Sequence, residues 1–183
     1  MSPSFAGSIS PFARKYLSYV GWTPERHVDP GAVEAELKRW HWQGNLPDVW
    51  FEICASIDRL PLFSTAHGLP ERTSEDVKQD GFRAYDLAFM ASDASNNAYL
   101  SEDLREAFGC DFGPLGLFGG WPIWLVDTQG RFYVWQEGNV TLYGTGLRDG
   151  FDSLLKGQAV DHRIIPYNPD AWDARFPEPL PEK

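Results

Sequence analysis

Ile123-Trp124-Leu125-Val126-Asp127-Thr128-Gln129-Gly130-Arg131-Phe132-Tyr133-Val134-Trp135 is the stretch on which the fold turns. Two runs of β-branched and aromatic residues flank Asp127-Thr128-Gln129-Gly130, whose glycine suits a left-handed backbone position. The pattern predicts a β-hairpin. Outward from it, residues 115–118 and 140–143 are further strand candidates, so the second half reads as consecutive, mostly antiparallel strands.

The flanks read mostly as helix. Past Thr145-Gly146, Leu147, Phe151, Leu154 and Leu155 form one apolar stripe, and Gly157 ends it. Toward the N-terminus, Ser10-Pro11 and Asp29-Pro30 are helix starts: a capping side chain, then a residue whose missing N–H is harmless in the first turn. The first helix ends at Gly21; the second carries Val33, Leu37 and Trp40; a third runs from about 47, with Val49, Ile53, Cys54 and Ile57 inward. Residues 60–63 and 82–86 are predicted strands, 66–79 are irregular, and 93–97 are a polar loop. Ser101 is expected to cap a short helix with Leu104, Ala107 and Phe108, stopped by Gly109. The order predicts an α+β fold: N-terminal helices and a C-terminal helix packed on one face of a mostly antiparallel sheet of about five or six strands. A single domain over 1–157 is expected. The extension 158–183, with Pro at 166, 169, 177, 179 and 181, is expected to leave regular structure, with Trp172 and Phe176 available to pin it.

Charge and composition narrow the function. A net charge of -10 repels phosphate backbones, so nucleic acid is not expected as a direct partner, whereas a basic protein would be steered in. Solubility alone is the competing explanation of that charge. The 8 Trp, 7 Tyr and 12 Phe exceed the obvious needs of one core, which leaves rings for a binding surface. Cys54 and Cys110 have no metal or redox spacing. The first residues lack a basic start followed by an apolar run, and no apolar stretch reaches membrane length, so a cytoplasmic location without membrane contact is expected.

His27, His41, His67 and His162 are scattered, so no metal is expected. There is no Gly-x-Ser-x-Gly elbow and no P-loop. Gly144, Gly146 and Gly150 follow a strand and open a helix, as in a dinucleotide fingerprint. The third glycine nevertheless comes one residue late, and Asp149 and Asp152 would oppose a pyrophosphate at the helix start. The reading is a tight strand-to-helix turn, with no cofactor and no enzyme activity.

Gly21-Trp22-Thr23-Pro24-Glu25-Arg26, with Val28-Asp29 after it, resembles the opening motif of the third subfamily of SUKH immunity proteins. Helices over 30–41 and 47–58 follow in the family's order, although Asp58-Arg59-Leu60 stands where the family usually has a Gly-Gly-Leu turn. Residues 82–86, the helix through Leu104 and Phe108, and Phe112-Gly113-Pro114-Leu115-Gly116 are similar to its next elements. The stretch 125–133 is similar to the family's hydrophobic-Asp-x-x-Gly-Arg-hydrophobic-Tyr hairpin, and 142–157 to its last strand and terminal helix. The resemblance spans roughly 12–157. It implies an immunity protein that neutralises a toxin, often a nuclease, of a polymorphic or contact-dependent system. It carries no catalytic residues. It implies that Gly21, Trp22, Arg26, Asp127, Gly130 and Tyr133 hold the fold.

Partner contacts are expected among Trp121, Trp124, Trp135 and Glu137, on the hairpin and its flanks. The same tryptophans also read as sheet core; a strand face with no helix over it would leave them exposed. The alternative function is an intracellular scaffold or regulatory module, since the wider superfamily includes a fungal protein tied to cell-wall synthesis. Self-association is left open by the sequence.

Overall fold

A computed structural model describes residues 5–39, 41–58, 60, 94–117, 122–136, 139–159 and 161–166. Helices α1 (Phe5–Ser8), α2 (Pro11–Tyr19), α3 (Gly31–Arg39), α4 (Asp48–Ile57) and α5 (Ala94–Phe108) come first. Strands β1 (Phe112–Leu117), β2 (Ile123–Asp127), β3 (Arg131–Gln136) and β4 (Asn139–Thr145) follow, then α6 (Gly146–Lys156) and β5 (Asp161–Pro166). The fold class is α+β. The predicted strands at 61–63 and 82–86, the irregular 66–79, and Trp40, Phe118, Trp172 and Phe176 lie outside the described residues.

Local chemistry sets the helix ends. The Ser10 hydroxyl accepts the Ala13 N–H at 3.0 Å, and Pro11 opens α2. At its other end Gly21 takes φ +94°; its N–H reaches Ser18 O, and the Trp22 N–H reaches Leu17 O at 2.8 Å. That is a Schellman closure, with Trp22 folded back as the apolar residue after it. Helix α6 closes the same way at Gly157. Helix α3 closes the same way too, but there His41 occupies the left-handed position at φ 63°.

The meander β1-β2-β3-β4 is antiparallel throughout, and β5 adds to the far side of β4. Consecutive β3 residues show how the sheet is covered. Phe132 lies under α6, where a Cβ on Gly150 would come within 2.3 Å of its ring, whereas Tyr133 packs against Phe108 of α5 at 5.4 Å. Adjacent strand residues face opposite ways, so helices cover both faces of the sheet, not one as the sequence suggested. All five β2 residues are buried as a result.

The β1 edge is covered by α4 and the loop before it. The indole of Trp42 donates to Phe112 O at 2.9 Å and that of Trp50 to Pro114 O at 2.6 Å. Carbonyls two residues apart share a strand edge, so these indoles satisfy an edge otherwise open to pairing. Trp50 has no exposed surface, and Gly113 makes room for it, since a Cβ there would sit 2.4 Å from its ring.

Two other expectations are corrected. Helix α5 starts at Ala94, so it includes residues read as loop and places Ser101 in its interior. The Ser101 hydroxyl accepts the Gln43 N–H at 2.9 Å and caps nothing. Weak helix propensity is only a weak prior against a helix over residues 94–97. The expected irregular extension contains β5. Residues 161–165 are free of proline, and Pro166 ends an edge strand, where a missing N–H is tolerated.

Candidate functional site

The most concentrated polar chemistry lies where β2 turns into β3. Asp127 is completely buried. One carboxylate oxygen accepts the N–H groups of Gln129 and Arg131, both at 2.9 Å. The other accepts Arg131 Nε at 2.5 Å and the Tyr133 hydroxyl at 3.2 Å. A buried carboxylate is tolerable only when paired and hydrogen-bonded, and this one has four such donors. Gly130, at φ +72°, turns the chain so that the Arg131 N–H comes back to Asp127, and its carbonyl takes the Gly146 N–H at 2.7 Å. The hairpin is thereby tied to the start of α6.

Cys110 completes the cluster. Its Sγ lies 3.8 Å from Asp127 Oδ2 and 3.6 Å from an Arg131 terminal nitrogen. Burial pushes the thiol above its ordinary value, the Asp127 charge adds to this, and Arg131 only partly opposes it. Burial likewise drives the Tyr133 phenol far up, again with Asp127 adding. Burial opposes the Arg131 charge, but the hydrogen bond to Asp127 and its charge hold the guanidinium protonated. The cluster therefore contains a protonated thiol, a protonated phenol and a compensated ion pair. Such a set fixes a hairpin; a protonated thiol is a poor nucleophile.

Of the residues expected to hold the fold, Asp127, Gly130 and Tyr133 meet in this cluster. Gly21, Trp22 and Arg26 lie on the loop between α2 and α3. Trp22 is buried edge-on to Phe5 at 6.0 Å, and an Arg26 terminal nitrogen donates to Asp58 O at 2.6 Å. The Val28 N–H donates to Ala55 O at 2.7 Å, so this loop is laced to the C-terminal half of α4.

Of the four expected partner contacts, Trp124 and Trp135 are among the described residues. Trp124 is only 5% exposed, so it is core and not an available contact; the sheet is covered on both sides where the sequence left one side open. Trp135 is half-buried against the core, with its indole nitrogen enclosed and unpartnered. Trp121 and Glu137 lie outside the described residues. Sequence reasoning missed Trp42 and Trp50 as covers of the β1 edge, and Cys110 as a neighbour of Asp127. For Trp50 the nearest signal is Gly113, whose missing side chain accommodates the ring. For Cys110 there was none, since it is 17 residues from Asp127 in sequence.

Among the described residues no group of three or more His, Cys, Asp or Glu side chains is arranged to hold a metal ion, and no helix is long and apolar enough to cross a membrane. No protein-family model, curated protein or solved structure matches the chain.

Proposed function

We propose that this chain is a cytoplasmic immunity protein of the SUKH type, which binds a cognate bacterial toxin and neutralises it stoichiometrically without catalysis. The observation that carries the reading is the order of elements. A Gly-Trp…Arg loop leads to two helices, and an antiparallel meander with an Asp-x-x-Gly-Arg-Phe-Tyr hairpin leads to an amphipathic helix, after which β5 is added. The net charge of -10 adds the partner's chemistry: a basic toxin surface would be attracted over a Debye length of about 8 Å at physiological salt. On this reading the buried clusters keep the scaffold rigid, and binding uses surface groups outside them.

The test is co-expression with the product of the gene immediately upstream, scoring survival and co-purification. Rescue of growth with a complex that persists through purification is the expected result, with an association rate that falls as salt rises. Toxicity that this chain does not relieve, with no complex formed, would refute the reading for that pair.

A further inference from the structure

Between the start of α4 and the β2–β3 turn lies an open-sided groove of about 390 Å³, lined by Leu46, Pro47, Asp48, Val49, Thr128 and Gly130. Its two walls belong to different elements, and Asp111 joins them. The Asp111 carbonyl accepts the Thr128 N–H at 3.1 Å, and its carboxylate accepts the Asn45 N–H at 3.0 Å. The groove is therefore part of the braced frame. Its lining is apolar at Leu46, Pro47 and Val49 and polar in about equal measure elsewhere, with the exposed side chain of Asp48 among the lining residues. Among the described residues no cation pairs with Asp48. The nearby guanidinium of Arg131 is committed to Asp127.

Apolar side chains lining a groove beside a carboxylate with no cationic partner among the described residues are complementary to a long side chain with an alkyl stem and a cationic head. A neutral apolar residue would leave Asp48 complementing only the start of α4, and an acidic one would meet its like charge. We propose that this groove receives an arginine or lysine side chain of the toxin, with its stem on Leu46, Pro47 and Val49 and its head at Asp48. The proposal rests on the inhibitor reading and names the site where a basic partner is held.

The experiment is titration calorimetry of the upstream gene's product against the unaltered chain, Asp48→Asn, Thr128→Lys and Glu25→Gln. Glu25 is exposed on the loop laced to the other end of α4, roughly 15 Å away along the helix, so its variant controls for net charge. Asp48→Asn and Thr128→Lys should each weaken binding about tenfold while staying folded, the thermal midpoint of Asp48→Asn falling by a few degrees at most as a first-turn carboxylate is lost, and Glu25→Gln should stay near the unaltered affinity. Unaltered affinity in both groove variants would overturn the groove and leave the inhibitor reading standing. If the unaltered chain forms no complex, the inhibitor reading fails for that pair, and a second probe decides the groove. Butylguanidinium, titrated into the chain alone and followed by amide NMR, should shift Asp48, Val49, Thr128 and Gly130, and lose that effect in Asp48→Asn. Shifts spread evenly to Glu25 and Glu102 would overturn the site.

Discussion

Asp127 concentrates the residue-scale energetics. Its carboxylate has no contact with water, and Arg131 is its partner charge, with only 15% of the arginine side chain exposed. Removing one member leaves the other charge buried and uncompensated, which is the expensive way to break such a pair. Asp127→Ala should therefore cost about 3–5 kcal/mol in urea unfolding. A loss below about 1 kcal/mol, the range of an exposed pair, would contradict the buried geometry. Tyr133 gives a pH-dependent prediction. Its phenol is raised in the folded chain, so above the ordinary value of 10.0 the folded state keeps a proton that the unfolded state has lost. The resulting stability is complete below that value and drains away as pH rises beyond it. Tyr133→Phe should make the fall in unfolding free energy above about pH 10 shallower, although not flat, because Tyr143 and Cys110 are also raised by burial. An unchanged slope would mean that Tyr133 is hydrated in solution.

At the scale of elements, two substitutions reverse what local propensity alone would say. In an exposed helix, Gly→Ala gains about 1 kcal/mol. Gly150 lies within α6, but a Cβ there would meet Phe132 at 2.3 Å and its Cβ at 3.1 Å, so the clash extends to a fixed atom. Gly150→Ala should instead destabilise by about 1–3 kcal/mol, as overpacking does, and a rise in thermal midpoint would disprove the close seating of α6 on β3. His41 is the opposite case. It holds a left-handed backbone at the end of α3, a conformation that a side chain disfavours by about 1–2 kcal/mol. His41→Gly should thus raise stability by up to about 1 kcal/mol in chemical denaturation, the unfolded-state entropy of glycine taking back the rest. Together these glycines show why the Gly144-Gly146-Gly150 pattern sits here. It lets α6 approach the sheet, with Gly146 turned at φ +76°, and no phosphate is needed to account for it.

For the molecule as a whole, the sheet edges decide what the fold exposes. The β1 side is covered by Trp42 and Trp50, while β4 is covered by β5 through pairs such as Val140 with Ile165. Truncation after residue 159 should lower the thermal midpoint and promote self-association, measured by calorimetry and sedimentation velocity, because β4 becomes an open edge. A truncated chain with unchanged self-association and the same midpoint would show that β5 contributes nothing to the sheet.

The sequence by itself determined what is local. Ser10-Pro11 and Gly21 bracket α2, the Asp127–Gly130 turn joins β2 to β3, and the stripe ending at Gly157 makes α6. In each case a cap, a left-handed glycine or a 3.6-residue period acts within a few residues of itself. Fold-holding roles for Asp127, Gly130 and Tyr133 were expected only through the resemblance, and their meeting around one carboxylate is visible only in the structure. Tertiary structure alone decided which apolar residues became edge covers, that Trp124 is core, that Cys110 joins Asp127, and that residues 161–166 return as a strand. It also decided that Leu46 to Val49 meet Thr128 and Gly130 across a groove. Those outcomes depend on contacts between segments tens of residues apart, where packing and hydrogen-bond satisfaction override the weak preferences of each segment.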